Sequence, residues 1–319
     1  MLLSVGLVAT FSAVGVLNAA RKQVAGIARV PGLQAVLSTA PANVENFLLV
    51  GSDSREGADP NAPDYGGIGS ASDVTGHRSD TIMVLRRDRS GGPAALLSIP
   101  RDLWVEIVGT GKKNRINSAY QIGPAALIQT VQQTLGIPID HYVEVDFQGF
   151  KSVVDALGGV QVCFPAPARD IHTGLNITEP GCHVLDGLQG LAYTRSRYYE
   201  TYENGVWVRD GTSDLGRTKR QREFVNTALQ AAVTRIKGDP LSTGRLLAAS
   251  TSAVRLDEGL DVLDAAGTLR SALGGGLLQY SLPTVGKVIG ANAVLLLGDG
   301  AGVVLDYFKG VSKTAPPAG

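Results

Sequence analysis

Arginine and aspartate recur where apolar runs begin and end. Asp53 and Arg55 close one run, Arg78 and Asp80 open the next, Arg101 and Asp102 follow Ile99-Pro100, and Arg195 and Arg197 follow residues 185–193. Arg217, Arg220 and Gln221 fall at i, i+3 and i+4, on one helical face with Phe224, so that stripe is expected to point inward. Arginine grips phosphate in a bidentate fork. Mg2+ takes one or two carboxylates and fills its shell with water and phosphate oxygens, which makes Asp53 and Asp80 the metal candidates. Each aspartate alone also suits a turn, and each arginine alone an exposed ion pair. Cations in the first turn of a helix oppose its macrodipole, so Arg217 and Arg220 are poorly placed unless an anion sits among them. From Tyr193 to Arg222 there are seven Lys/Arg against four Asp/Glu, a local excess of three positive charges.

That excess is local, because Lys+Arg and Asp+Glu both total 29 over 319 residues. No overall basic field exists to hold nucleic acid. His77, His141, His172 and His183 are scattered and there are two cysteines, which excludes a zinc site of the usual Cys/His spacing. No Gly-x-x-x-x-Gly-Lys-Ser/Thr loop and no Gly-x-Ser-x-Gly elbow occurs.

The elements that must position these residues alternate along the chain. Residues 47–51 read as a buried strand feeding a Gly/Asp/Pro/Ser-rich loop to about residue 76, and 81–85, 94–99 and 103–108 as three further strands. Residues 124–135 and 147–157 carry helical apolar spacing, the second stopped by Gly158-Gly159, with a strand over 160–164. A long helix is expected from 215 to about 236 with Asp214 as N-cap, then helices over 241–254 and 260–273, strands over 277–285 and 293–297, and a last helix over 302–308. No repeat and no internal linker interrupts the pattern, which favours one layered α/β domain.

Residues 1–20 contain no charge and would make a helix of about 30 Å, the thickness of a bilayer core, so they read as a membrane anchor, with a cleaved secretion signal or a buried helix as the alternatives. Arg21 and Lys22 follow, and by the positive-inside rule alone would place the domain in the cytoplasm. Cys163 and Cys182 argue the opposite: 19 residues apart around a loop rich in Pro, Thr, Asn and Gly, they are expected to be bridged in an exported domain. Two unpaired buried cysteines are the alternative.

Nine blocks in order, Phe47-Leu-Leu-Val-Gly-Ser-Asp-Ser-Arg55, His77-Arg-Ser-Asp-Thr81, Leu97-Ser-Ile-Pro-Arg-Asp102, Arg115-Ile-Asn-Ser-Ala-Tyr120, Val145-Asp-Phe-Gln-Gly-Phe150, Asp155-Ala-Leu-Gly-Gly-Val160, Leu185-Asp-Gly, Ala192-Tyr-Thr-Arg-Ser-Arg197 and Leu215-Gly-Arg-Thr-Lys-Arg-Gln221, resemble the LytR-CpsA-Psr family of envelope glycopolymer transferases. The resemblance covers about residues 45–236. It implies a single α/β/α sandwich with a central mixed sheet, preceded by a transmembrane helix: anchor 1–20, juxtamembrane segment 21–44, catalytic domain 45–310 and tail 311–319. It implies transfer of a glycopolymer with its attaching phosphate from a polyprenyl pyrophosphate carrier to the muramic acid hydroxyl of peptidoglycan, outside the cytoplasmic membrane.

Residue by residue, Asp53 and Asp80 would hold Mg2+ or Mn2+, Arg78, Arg101, Arg195, Arg197, Arg217 and Gln221 the pyrophosphate, and Arg55 would face the acceptor; Asp53, Asp80, Arg78 and Arg101 form the catalytic set. Arg115 stands where the family usually has Lys, and Arg220 has no assigned role. The Cys163/Cys182 pair resembles a subgroup bridged at this place. A carrier-binding module without ligase activity, a pyrophosphatase using water as acceptor, and a membrane-bound regulator of DNA are the rival classes, the last disfavoured by the cysteine pair.

Overall fold

The computed structural model describes residues 22, 24–39, 43–54, 79–212, 214–238, 254–262, 264–265 and 276–317. The expected anchor 1–20, Arg55, Arg78, the loop up to residue 76 and most of the two helices expected over 241–254 and 260–273 lie outside them. No helix among the described residues is long and apolar enough to cross a membrane.

The first part of the chain supplies strands β1 (Ala28–Val30), β2 (Val44–Ser52), β3 (Ser79–Asp88), β4 (Ala94–Ile99), β5 (Trp104–Ile107) and β6 (Lys112–Arg115), then helices α1 (Ala119–Ile122) and α2 (Pro124–Leu135). Next come β7 (His141–Val145), α3 (Phe147–Ala156), β8 (Val160–Phe164), β9 (Ala168–Asp170), β10 (Leu175–Ile177), β11 (Gly181–Leu185) and α4 (Gly187–Arg195). The hairpin β12 (Glu200–Glu203) and β13 (Val206–Arg209) leads into the long α5 (Asp214–Gly238). β14 (Val254–Asp257), β15 (Leu277–Ser281), β16 (Thr284–Ile289), β17 (Asn292–Leu297) and α6 (Ala301–Phe308) follow.

Seven strands form the central sheet in the order β1-β14-β7-β2-β3-β4-β15. β1/β14, β2/β7 and β4/β15 are parallel and the other pairs antiparallel, so the sheet is mixed. Alternating residues of the same strands serve two cores. Leu48, Val50, Val84 and Leu97 pack with Leu127, Ile128 and Val131 of α2 and Phe308 of α6. Phe47, Met83, Leu85 and Leu96 meet Val225 and Leu229 of α5 on the other face. A sheet covered on both faces needs apolar residues at every position, which is why β4 is buried throughout.

Several elements differ from expectation. β7 was hidden because His141 and Glu144 break its apolar pattern, yet it runs parallel to β2 in the middle of the sheet. Residues 277–285 divide into β15 and β16 around Pro283, which has no N–H to donate to a ladder. Val254, expected to end a helix, opens β14 instead, and the loop between the cysteines holds β9 and β10. Within 21–44, β1 joins the sheet, and Leu33 and Leu37 belong to the core. The tail is tied in as well, with the Tyr280 hydroxyl donating to Pro316 O at 2.9 Å.

At the β2 end remote from Asp53, His141 stands between two carboxylates, Nδ1 3.2 Å from Asp257 and Nε2 3.5 Å from Glu45. Glu45 also receives Arg87 and Arg89. Burial alone would lower the His141 pKa, but Asp257 and Glu45 raise it to about 9. Burial pushes Glu45 up, and hydrogen bonds from His141 and Arg87 overcome that and hold it at about 2. A histidine raised above its ordinary value of about 6.5 contributes fully below that pH and loses its contribution as pH climbs to the folded value. Melting temperature is therefore expected to decline between about pH 6.5 and 9, and His141→Gln to flatten that part of the profile. A profile unchanged by the substitution would show the cluster to be energetically silent.

Cys163 and Cys182 face each other across the antiparallel β8–β11 ribbon and form a disulfide, 19 residues apart. The ribbon packs Val160, Phe164 and Leu185 against Tyr193 and Phe224. Thiol titration of denatured, unreduced protein should find no thiol. Reduction should cost about 3 kcal/mol by loop-closure estimates, read as a lower melting temperature.

Candidate active site

Two helices and the segment after one of them make an arginine corner. α4 begins at Asp186, whose carboxylate accepts from Gln189 N at 2.8 Å, and ends at Arg195. Two glycines let it sit close to its neighbours: a Cβ on Gly187 would lie 2.4 Å from Lys151 O, and one on Gly190 2.8 Å from the Phe224 ring. Beyond the helix the chain is pinned by Asp170, a carboxylate with no exposed surface. Asp170 accepts from Ser196 Oγ at 2.6 Å and from the backbone N–H groups of Tyr198 and His172, both at 2.9 Å. Burial would raise the Asp170 pKa, but these donors, Ser196 first, hold it below the usual carboxylate range.

The long helix α5 is stapled to the same segment. Arg220 donates to Ser196 O at 2.6 Å and to Asp210 at 3.1 Å, and its guanidinium lies over the Tyr199 ring at 4.6 Å. Gln221 Nε2 donates to Thr194 O at 3.1 Å. The stripe does point inward: Arg217 is 2% exposed and Phe224 1%. Arg220, poorly placed by the dipole argument, is thus met by protein groups, and its role is to join α5 to the end of α4. Gln221 spends its amide hydrogen on the same joint. Arg195 and Arg197 flank the pinned Ser196, with the Arg195 guanidinium 4.6 Å over the Phe147 ring.

Arg101 lies across a cavity of about 490 Å3 from the start of α5, a space lined by Arg101, Asp102, Thr212, Leu215, Thr218 and Lys287 among others. Asp102 sits between two cations, 3.6 Å from Arg101 Nε and 3.3 Å from Arg115 Nε. Arg115 also donates to Ala293 O at 3.1 Å and so holds the β16–β17 hairpin, a use that its longer fork permits.

The aspartates lie where β2 and β3 end. Gly51 pairs with Thr81 and Ser52 with Ser79, so the register shifts and Asp80 becomes the extra residue of a bulge, with Asp53 just past the opposite strand. Bulges re-aim side chains and recur beside active sites. Gly51 fits closely there, since a Cβ would lie 3.0 Å from Thr81 Cβ. The Ser79 hydroxyl is buried with no hydrogen-bond partner among the described residues, and the Ser52 hydroxyl is buried beside that of Tyr120. A strand end that carries Asp53, with Asp80 at the bulge of the paired strand, suits a hydrated divalent ion, which needs only one or two protein ligands. No group of three metal-ligating side chains occurs among the described residues.

The structure thus sets Gln221 and Arg220 of α5 against the end of α4, where Arg195 and Arg197 flank Ser196, with Arg217 one turn earlier on α5 and Arg101 across the cavity that borders the start of α5. Asp53 and the backbone of Asp80 mark a second locus at the β2–β3 bulge. Sequence reading missed Asp170, Ser196, Asp210 and Glu144. Glu144 is a buried β7 carboxylate that accepts from Tyr120 at 2.7 Å and Tyr142 at 2.9 Å and braces the strand beside β2. Tyr120 lies in the Arg-Ile-Asn-Ser-Ala-Tyr block, the one sequence signal that pointed here.

A family model described as the LytR_cpsA_psr family matches residues 14–295. The chain is 37% identical over 242 residues to the probable cell wall biosynthesis protein LcpB of Corynebacterium glutamicum, an alignment spanning 75% of this chain and 54% of that protein. It is 36% identical over 217 residues to the polyisoprenyl-teichoic acid--peptidoglycan teichoic acid transferase TagU of Halalkalibacterium halodurans, spanning 66% and 67%. The chain thus spans about half the length of the first relative. A solved LytR-Csp2A-Psr enzyme from Actinomyces oris superposes with a TM-score of 0.69 at 25% identity, covering 89% of this chain and 96% of that one.

Proposed function

The chain belongs to the LytR-CpsA-Psr family, and from that membership we propose that it moves a phosphate-linked glycopolymer from a polyprenyl pyrophosphate carrier onto a hydroxyl of peptidoglycan. The acceptor oxygen attacks the phosphorus that bears the glycan, the pyrophosphate bridge breaks, and polyprenyl phosphate leaves. The names of the relatives, a cell wall biosynthesis protein and a teichoic acid transferase, support this class of reaction.

The observation that carries the reading is the arginine corner stapled by Asp170, Arg220 and Gln221. Phosphoryl transfer asks a protein for positioning and charge neutralisation more than for covalent chemistry. Arg195, Arg197 and Arg217 would hold the pyrophosphate from one side and Arg101 from across the cavity, while Arg220 and Gln221 keep the two helices in register. The family blocks add Arg78 to the pyrophosphate and Arg55 to the acceptor side. Asp53 and Asp80 would hold Mg2+ or Mn2+. The ion when bound neutralises charge on the phosphate oxygens.

Residues 1–20 anchor the chain in the cytoplasmic membrane, with the folded domain outside. The disulfide supports that compartment, since such bonds persist in oxidising surroundings. Purification of the full chain from membranes, followed by mass spectrometry of the extracted lipid, tests the reading. Polyprenyl phosphate or pyrophosphate, free or glycan-linked, is the expected finding. Failure to find it, together with failure to bind it when added, would overturn the proposal.

A further inference from the structure

The β12–β13 hairpin grows out of the arginine corner. Arg197 precedes it, and Asp210, held by Arg220, follows it, with Asp210 N donating to Tyr199 O at 2.8 Å. β12 pairs with β9 and β9 with β10, so a second sheet runs β10-β9-β12-β13. On one side β9 and β10 are covered, because Ala168, Leu175 and Ile177 belong to the core around Phe224, whereas Val206 and Val208 of β13 on that side are exposed.

The other face carries exposed tyrosines beside a half-buried Trp207. Asn176, Arg169, Glu200 and Arg209 are in register across the four strands, with Tyr202 opposite Trp207 in the next row. Arg169 lies over the Trp207 ring at 4.1 Å and donates to Glu200 at 2.7 Å, and Tyr202 and Trp207 are 5.2 Å apart. Arg209 lies over the Tyr198 ring at 4.3 Å rather than against a carboxylate. Tyr198 and Tyr202 are both 43% exposed. Contiguous exposed apolar surface on a soluble domain marks an interaction site. Cross-strand pairing alone asks for no such concentration of rings and guanidinium groups on the uncovered side.

We propose that this face docks the acceptor glycan, an amino-sugar strand with carboxylate-bearing peptide stems, as in peptidoglycan. A pyranose packs its C–H face on an aromatic ring and offers its hydroxyl and acetamido groups to the edges of Arg, Glu and Asn side chains. Arg209 complements the carboxylates of the stems. The donor is fixed through its pyrophosphate, whereas an acceptor polymer extends well past its reacting hydroxyl and needs an added surface continuous with the site. This inference rests on the transfer reading above.

Co-sedimentation of the protein with purified sacculi, stripped of attached glycopolymer, tests it. The double substitution Tyr202→Ala, Trp207→Ala should weaken binding at least tenfold, while Val206→Thr on the opposite side of β13 leaves it unchanged. Arg209→Glu, which removes no ring, should weaken it more than Arg209→Gln. Binding of polyprenyl pyrophosphate should be the same in every variant, which also shows that each is folded. Unchanged sedimentation of the double variant and of Arg209→Glu would overturn the proposal, as would a wild-type protein that binds free donor glycan but not stripped sacculi. If the wild type binds sacculi through this face yet no polyprenyl pyrophosphate, the transfer reading fails and the docking face stands.

Discussion

Replacing Asp53 by alanine is expected to reduce divalent-cation-dependent transfer by about a thousandfold, the rate equivalent of roughly 4 kcal/mol of lost charge stabilisation. The fold should survive, because Asp53 follows the last residue of β2 and contributes nothing to the apolar layers on either side of the sheet. Asp53→Asn keeps the shape but loses the charge, and should sit between wild type and alanine. Turnover with a lipid-linked donor would be compared with and without chelator, and Mn2+ binding followed by electron paramagnetic resonance as a readout apart from turnover. Full activity of the wild type in excess chelator would remove the metal from the account.

Arg101→Ala is expected to weaken polyprenyl pyrophosphate binding roughly tenfold to a hundredfold or more, since a charge-assisted contact is worth about 1.5 to 3 kcal/mol. Its melting temperature should hardly move. The ion pair of Arg101 with Asp102 is long, at 3.6 Å, and partly open to water, so this contact contributes little, and thermal melts measured beside the titration report what the other contacts of Arg101 contribute. Lysine at this position should restore binding only in part, because a point charge replaces a fork. Arg220→Ala gives the contrast: it should lower stability and binding together, as it breaks the joint with Ser196 O and Asp210. Unchanged affinity in Arg101→Ala, measured by calorimetric titration, would make the cavity beside Arg101 irrelevant to the phosphate.

The helical stripe of Arg217, Gln221 and Phe224 was legible because i, i+3 and i+4 spacing is a local property of the chain. So were the apolar runs of β2 and β4 and the cysteine pair. β7 was not, since a strand with a histidine and a glutamate inside it is stabilised by partners that the sequence places more than a hundred residues away, such as Asp257 on β14. Asp170 and Ser196 were missed for the same reason. Twenty-six positions separate them, and only folding brings the β9 aspartate to the serine that lies between two arginines. The role of Arg220 was not legible, because the dipole argument considers the helix alone and not Asp210, which the hairpin carries back to it.

The most direct test of the central claim is to follow the transferred phosphorus. Full-length protein in lipid vesicles would be given a polyprenyl pyrophosphate-linked glycan labelled with 32P in the phosphate next to the sugar, together with stripped sacculi and Mg2+. The account predicts label in a phosphodiester fragment released from the sacculi by muramidase, with one polyprenyl monophosphate formed per label incorporated. Label recovered only as free glycan phosphate or inorganic phosphate, with the sacculi unlabelled, would contradict it and make the protein a pyrophosphatase.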